Sequence, residues 1–162
     1  MKKILVIEDD DLIRETVLEL LKSRGFEAVG AENGEVGIEL AAQIPDLILS
    51  DVMMPEVDGL EVFAVLRSQP ATASIPFIFM TGSEMEGVLE LKADGYIKKP
   101  CSAAKILGAI AAQLEKPTIT NPKYQKVQDN FTPSNFSLRG WNQKFRFEIA
   151  WLCSQEHAQQ RY

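Results

Sequence analysis

Cysteine and long apolar runs are both scarce in this sequence of 162 residues, and each scarcity narrows the possible classes of protein. The two cysteines, Cys101 and Cys153, lie far apart without metal-ligand spacing, which argues against a disulfide framework and a cysteine-bound metal. No apolar run approaches the roughly 20 residues that a membrane-spanning helix needs. No signal-peptide stretch follows the opening Met1-Lys2-Lys3. We therefore expect a cytoplasmic protein with reduced thiols and no membrane partner.

Basic side chains are also in short supply in the first part of the chain. Residues 1–116 hold 20 Asp and Glu but 11 Lys and Arg, a balance of −9. Residues 117–162 hold 3 acidic and 6 basic side chains, a balance of +3. An acidic body repels the phosphates of nucleic acids, and the positive balance of the second part is small and scattered. Direct DNA binding is therefore not expected.

Internal repeats and low-complexity tracts are absent as well, and short apolar runs alternate with amphipathic segments. This alternation is typical of βαβ units and a parallel sheet. The apolar runs predict five strands, at residues 4–7, 27–30, 47–50, 77–80 and 96–98. The amphipathic segments predict five helices, at residues 11–23, 34–43, 60–67, 85–91 and 103–114, the last capped by Ser102. The order fits a flavodoxin-like doubly wound α/β fold whose five-stranded parallel sheet has the order 2-1-3-4-5.

The most informative feature is where two of these strands end. The apolar run 47–50 stops at Asp51, before a turn rich in Pro, Asp and Gly, and the first strand stops at Glu8 and Asp9. Strands one and three are neighbours in the predicted order, so the three carboxylates converge on one crevice. Clustered like charges disfavour one another, and a divalent cation with oxygen ligands relieves the repulsion. Asp10 is then left to cap the first helix.

These strand ends carry a resemblance to a known family, the response regulator receiver domain of two-component signalling. The matched positions, each of which closes a strand run, are Glu8, Asp9, Asp51, Thr81 and Lys99. The resemblance covers residues 1–116 and implies a CheY-like receiver domain. It also implies a signalling switch that takes part only in its own phosphorylation and dephosphorylation, and so is not an enzyme in the usual sense.

The resemblance implies a phosphoryl-accepting site centred on Asp51. Mg²⁺ would be held by Asp9, Asp51 and the backbone carbonyl of Met53, with Glu8 reached through water. The phosphoryl donor would be a phosphohistidine on a sensor histidine kinase or a phosphotransfer protein.

Three further residues would support and report the phosphorylated state. Lys99 would neutralise a phosphoryl oxygen, and Thr81 would donate a hydroxyl hydrogen bond to another. Tyr96 is similar to the family's switch aromatic, although a half-buried tyrosine in a strand is also ordinary packing.

The chain departs from the family's usual pattern at several positions. Glu8 stands where Asp is more usual, and Cys101 stands where Phe is common after the Lys-Pro pair. Only 17 residues separate Thr81 from Lys99, so the shortfall falls on the fourth helix or its loops. The shortening falls on the helix from which the family usually builds its signalling face.

Two other classes of function compete with the switch. A magnesium-dependent phosphohydrolase with an aspartyl intermediate would carry a second carboxylate two residues after Asp51, where this chain has Met53. A receiver-fold interaction module that is never phosphorylated loses support because every type of site residue is present.

Residues 117–162 differ in character and are expected to form a separate extension. Prolines and small polar residues mark a linker, and a cluster of large apolar side chains follows it: Phe136, Trp141, Phe145, Phe147, Ile149 and Trp151. The spacing fits a strand or a helix, and the following residues favour a helix. So many large apolar groups are expected to pack against the receiver or a second copy of the chain. A homodimer contact is the favoured arrangement.

Overall fold

The computed structural model describes residues 1–82 and 92–115. The helix predicted at residues 85–91 and the extension 117–162 lie outside the described residues. The strands are Lys3–Ile7 (β1), Glu27–Ala31 (β2), Leu47–Asp51 (β3), Phe77–Thr81 (β4) and Gly95–Lys98 (β5). The helices of the described ranges are Asp11–Ser23 (α1), Gly34–Ala41 (α2), Gly59–Ser68 (α3) and Ala103–Leu114 (α4). None of these helices has the length and apolar character that a bilayer crossing requires.

The five strands form one parallel sheet in the order β2-β1-β3-β4-β5. This order confirms the predicted flavodoxin-like α/β topology. The central strands β3 and β4 are buried at every residue, which is why their sequences are almost continuously apolar. β1 lies beside β3, with Ile7 opposite Ser50, so the residues that end these two strands emerge side by side.

Side-chain caps fix where the helices begin. Asp10 caps α1 as predicted, and its carboxylate accepts a hydrogen bond of 3.0 Å from the backbone N–H of Ile13. Ser102 caps α4 in the same way. Asp58 caps α3 in a reciprocal capping box with Glu61. Each cap satisfies N–H groups that have no partner within the helix, so the helices start directly after the strand-end loops.

Two apolar layers cover the two faces of the sheet. One layer contains Phe63 of α3 packed against Phe77 and Phe79 of β4, with neighbouring ring centroids 4.9–5.5 Å apart. The other lies beneath α1 and α4 and includes Leu21 and Ile110, both fully buried. Burial on both faces holds the strands rigidly, and the strand ends therefore provide a fixed platform for side chains.

Gly59, the first residue of α3, is expected to tolerate no side chain. Its backbone N–H donates to the carbonyl of Val52 at 2.9 Å, and an added Cβ would overlap the backbone carbonyl of Asp51. We expect Gly59→Ala to lower the free energy of unfolding by about 2 kcal/mol in urea titrations, because the loop after β3 must shift.

Gly108 provides the matched control for Gly59. It lies on the exposed face of α4, and a Cβ there would meet nothing within 4 Å. Gly108→Ala is expected to stabilise the protein by up to about 1 kcal/mol, because alanine favours a helix interior. Equal effects of the two substitutions would contradict the packing described for Gly59.

Candidate functional site

Three carboxylates meet at the carboxyl edge of the sheet, as the strand order predicts. Glu8 directly follows β1, and its backbone N–H extends the ladder by donating to the carbonyl of Ala31 at 3.0 Å. Asp51 is the last residue of β3. One carboxylate oxygen from each of Glu8, Asp9 and Asp51 lies within 4.8 Å of the others. The predicted convergence of these side chains is therefore present in the structure.

The donor set of this cluster fits a hard divalent cation. All three side chains offer carboxylate oxygens, which Mg²⁺ and Ca²⁺ prefer. Glu8 and Asp51 are buried, whereas Asp9 is exposed, so an ion can be approached from solvent on the Asp9 side. The cluster could therefore hold a metal ion, and two of its carboxylates, Glu8 and Asp51, are supplied by rigid strand ends.

Lys99 lies between two members of the cluster. Its Nζ is 2.7 Å from Oε2 of Glu8 and 3.2 Å from Oδ2 of Asp51. The end of β5 delivers it there: Lys98 is paired with Thr81, and the backbone N–H of Lys99 donates to the carbonyl of Thr81 at 2.7 Å. Charge-assisted bonds of this kind are stronger than neutral ones, so Lys99 is held in place by both acids.

Burial and mutual charge shift the titration of this pair. Burial is the main reason that the pKa of the Glu8 carboxyl is raised, and the nearby charge of Asp51 adds to the rise. The hydrogen bond from Lys99 and the backbone N–H of Asp10 act in the opposite direction on that pKa. Burial alone would lower the pKa of the Lys99 ammonium, but the bond to Glu8 and the charge of Asp51 outweigh it and raise that pKa. The cationic form of Lys99 is thus stabilised by its two acidic neighbours.

The Asp51 carboxylate is oriented from two sides. Its Oδ1 accepts a hydrogen bond of 2.8 Å from the backbone N–H of Val52, and its Oδ2 faces Lys99. The hydroxyl of Ser50 donates to the carbonyl of Asp51 at 2.9 Å. The first two contacts hold the carboxylate at a defined angle, and the third fixes the backbone at the end of the strand.

The other predicted site residues lie around this edge. Thr81 is the buried last residue of β4. Met53 lies in the loop between β3 and α3, and the residue is 62% exposed. Tyr96 is half-buried in β5; its ring stacks on Phe79 with centroids 6.1 Å apart, and its hydroxyl accepts a hydrogen bond from the N–H of Ala93. The roles of Thr81, Tyr96 and the Met53 carbonyl remain predictions.

Arg14 contacts the site but was not expected from the sequence. Its Nη1 donates to the backbone carbonyl of Glu8 at 2.8 Å, and its Nη2 donates to the carboxylate of Asp11 at 2.5 Å. The only signal in the sequence is an arginine three residues after an acid in the first turns of α1, which ordinarily indicates a surface ion pair. The bond to Glu8 depends on how α1 packs against β1.

Comparison with known proteins agrees with the fold. The family model described as "Response regulator receiver domain" matches residues 4–111. The transcriptional regulatory protein CpxR of Escherichia coli is 36% identical over 138 residues, covering 83% of this chain and 57% of CpxR. The polar-differentiation response regulator DivK of Brucella anthropi is 34% identical over 118 residues, covering 70% of this chain and 96% of DivK. The two relatives thus differ in how much of their own length is matched.

Among solved structures, the signal receiver domain of a signal transduction histidine kinase from Syntrophus aciditrophicus superimposes with a TM-score of 0.65 at 30% identity, covering 75% of this chain and 98% of that one. This chain spans about half the length of CpxR. CpxR is named a transcriptional regulatory protein, so this relative does not support the expectation that direct DNA binding is absent. The family match, which covers two thirds of the sequence, shows that the chain belongs to the response regulator receiver domain family.

Proposed function

We propose that this receiver domain accepts a phosphoryl group on Asp51, with Mg²⁺ bound beside it, and that phosphorylation shifts its conformation to control a partner. The observation that carries the proposal is the meeting of three carboxylates within 4.8 Å, with the ammonium of Lys99 against Asp51. Such a cluster is costly for folding alone, because like charges in a partly buried site disfavour one another. Phosphoryl transfer gives every one of these groups a use.

The proposed magnesium ligands are the carboxylates of Asp9 and Asp51 and the backbone carbonyl of Met53. Glu8 would act through a water molecule, since its carboxylate is engaged by Lys99 at 2.7 Å. When bound, Mg²⁺ supplies positive charge that screens the attacking carboxylate and the incoming phosphoryl oxygens from each other. Mg²⁺ commonly keeps several waters and uses few protein ligands, so this set is sufficient.

The transfer itself requires little more than positioning. A carboxylate oxygen of Asp51 attacks the phosphorus of a phosphohistidine on a kinase or phosphotransfer protein. The phosphorus–nitrogen bond breaks, and its electron pair returns to the imidazole of the donor. Lys99 is 3.2 Å from Asp51 and is placed to neutralise a phosphoryl oxygen, while Thr81 would donate its hydroxyl to another. Water later cleaves the acyl phosphate and resets the switch.

The conformational response is proposed to run from Thr81 to Tyr96. The two residues lie on adjacent strands, and Tyr96 is paired with Phe79, two residues before Thr81. If the hydroxyl of Thr81 moved toward the phosphoryl group, the space available to the ring of Tyr96 would change. A phosphorylation-dependent equilibrium of this kind can be read by a partner protein or by a second copy of the chain.

Phosphorylation by a small donor tests the proposal directly. Incubation with acetyl phosphate and Mg²⁺ is expected to raise the intact mass by one phosphoryl group, and excess EDTA is expected to prevent the gain. Sustained release of phosphate from unrelated phosphomonoesters would instead favour the phosphohydrolase. A chain that never gains mass from acetyl phosphate, with Mg²⁺ present, would favour the unphosphorylated interaction module.

Magnesium is expected to stabilise the fold by relieving repulsion at the cluster. At a hundred times its dissociation constant, a ligand that binds only the folded state adds about 2.7 kcal/mol to the free energy of unfolding. Asp9→Asn should remove most of that gain in urea titrations with and without MgCl₂. Glu15→Gln, which changes an exposed acid on α1, should leave the gain intact. Equal gains in the wild type and Asp9→Asn would rule out Asp9 as a ligand.

A further inference from the structure

We infer that Arg14 is a positioning residue for the acidic pair Glu8 and Asp9, an assignment that rests on the proposed magnesium site. The carbonyl that receives Nη1 of Arg14 at 2.8 Å belongs to Glu8. That carbonyl is part of the peptide group joining Glu8 to Asp9. A single guanidinium therefore holds the backbone between two proposed members of the site.

Glu8 is held at three points. Its N–H, which belongs to the peptide group before it, donates to the carbonyl of Ala31 at 3.0 Å and anchors it to β2. Its carboxylate bonds Lys99 at 2.7 Å, from the end of β5. Arg14 of α1 bonds the carbonyl of the next peptide group, which joins Glu8 to Asp9. Rotation of this peptide would move the Asp9 carboxylate, which follows it directly and is exposed on the solvent side of the cluster.

Gly30 of β2 provides the room that Arg14 needs. A Cβ at Gly30 would lie 3.1 and 3.3 Å from Cδ and Cγ of Arg14, and 2.9 Å from a methyl of Leu18. The apolar stem of Arg14 thus crosses the strand where a side chain is missing, and this path brings the guanidinium to Glu8. Packing of this kind lets an arginine bury its stem while its head group stays bonded.

The bond to Asp11 does not by itself account for the placement of Arg14. The Asp11 side chain is 85% exposed, whereas that of Arg14 is 11% exposed. An ion pair with so exposed a partner contributes little to stability. The planar guanidinium can nevertheless donate to the Glu8 carbonyl and the Asp11 carboxylate together, so Asp11 serves to orient the head group.

The matched control is Arg67, a second arginine of intermediate burial, which lies away from the site. Its side chain is 10% exposed, and it donates to the carbonyl of Ile75 at 2.8 Å and to the carboxylate of Asp94 at 2.6 Å. Ile75 and Asp94 precede β4 and β5, at the edge of the sheet opposite Asp51. Arg67→Met therefore removes a carbonyl bond and an ion pair at a distance from the cluster, together with a cation–π contact to the ring of Phe63.

Calorimetric titration of the full chain with MgCl₂ tests the assignment. Loss of an outer partner of a metal ligand typically weakens metal affinity at least tenfold, so Arg14→Met is expected to raise the dissociation constant for Mg²⁺ by about tenfold. Arg14→Lys should give a smaller rise than Arg14→Met, because its ammonium can still donate to the Glu8 carbonyl, although it cannot reach both acceptors. Gly30→Ala, which keeps the guanidinium but displaces its stem, should also raise the constant. Arg67→Met should leave it within twofold.

Circular dichroism at the titration temperature establishes that each variant is folded, and if Arg14→Met is not, Arg14→Lys and Gly30→Ala decide the outcome. Wild-type affinity in the folded Arg14 variants, or an equal loss in Arg67→Met, would overturn the role of Arg14. A wild-type chain that binds no Mg²⁺ would overturn the proposed function itself. The two failures are therefore distinguishable.

Discussion

Replacing Lys99 with Met is expected to lower the free energy of unfolding at pH 7 by about 3 kcal/mol, near the low end of the cost of breaking a buried ion pair. We use the low end because the ion pair is only partly buried: the Lys99 side chain is 22% exposed, although that of Glu8 is only 1% exposed. Methionine preserves an unbranched apolar stem but removes the charge. The carboxylate of Glu8 is then left buried, with the charge of Asp51 nearby.

The loss in Lys99→Met is expected to depend on pH, with a definite sign. Burial, the main cause, and Asp51 raise the pKa of the Glu8 carboxyl, while Lys99 opposes the rise. Removing Lys99 raises that pKa further, so the folded variant binds a proton more tightly than the unfolded chain does. A carboxyl of this kind favours folding below its unfolded value, near 4.5, and this contribution is lost as the pH rises through its folded value. The deficit should therefore be smallest at acidic pH and grow toward neutrality.

Two further variants isolate the contribution of the Glu8–Lys99 ion pair in urea titrations at neutral and at acidic pH. Lys98→Met changes the exposed neighbouring lysine and should alter stability by less than about 0.5 kcal/mol. Adding Glu8→Gln to Lys99→Met should recover much of the loss, because the unpaired buried charge is gone. A cost in Lys99→Met that matches that of Lys98→Met would show that the bond between Glu8 and Lys99 contributes nothing.

Asp51→Asn is expected to reduce phosphorylation by acetyl phosphate at least a thousandfold, the scale on which loss of an essential nucleophile acts. The amide is a far weaker nucleophile than the carboxylate and cannot form a stable acyl phosphate. The variant should still fold, since an amide oxygen can keep the hydrogen bond from Val52 and one of the clustered charges is removed. Its melting temperature without metal is expected to equal or exceed that of the wild type.

Asp58→Asn is the matched control for that substitution. Asp58 lies in the same loop region but caps α3, accepting from the N–H of Glu61 at 2.9 Å. Asparagine caps helices about as well as aspartate, so the control should fold and should be phosphorylated at close to the wild-type rate. Phosphorylation retained in Asp51→Asn would exclude Asp51 as the acceptor. An equal loss in Asp58→Asn would show that the loss in Asp51→Asn is not evidence for the acceptor.

The sheet and its order were predictable because apolar runs bounded by turns and caps identify strands in a doubly wound fold. The predicted ends of β3 and β4 each fell one residue short, at Ser50 and Met80. Asp51 and Thr81 are polar but remain in the ladder: Asp51 is paired with Met80, and Thr81 is paired with Lys98. A polar side chain at the end of a strand therefore obscures the true boundary in the sequence.

The direction of the Glu8 side chain could not be predicted from its position. Glu8 and Lys99 are 91 residues apart in the sequence, and their contact depends on side-chain rotamers and on the path of β5. The resemblance placed Glu8 near the metal, through water, and the structure places its carboxylate on Lys99. The role of Arg14 was also missed, because a hydrogen bond from a side chain to a backbone carbonyl leaves no pattern in the sequence.

Predictions about the rest of the chain stand apart from this site. The division near residue 116, the helix at residues 85–91 and the homodimer contact of the aromatic extension remain predictions. The two relatives differ in what lies outside the matched region. DivK is matched over 96% of its length, whereas CpxR is matched over 57% and has a further part that this comparison does not reach. Deletion of residues 117–162, followed by measurement of the mass in solution, would show whether the extension mediates self-association.

Chemical trapping of the phosphorylated chain tests the central proposal most directly. Borohydride reduces an acyl phosphate of aspartate to homoserine, which marks the modified residue permanently. After incubation with acetyl phosphate and Mg²⁺, peptide mass spectrometry should find homoserine at position 51 and at no other aspartate, and EDTA should abolish it. Homoserine at Asp9 or another aspartate, or none at all in a chain that binds Mg²⁺, would contradict the assignment of Asp51 as the phosphoacceptor.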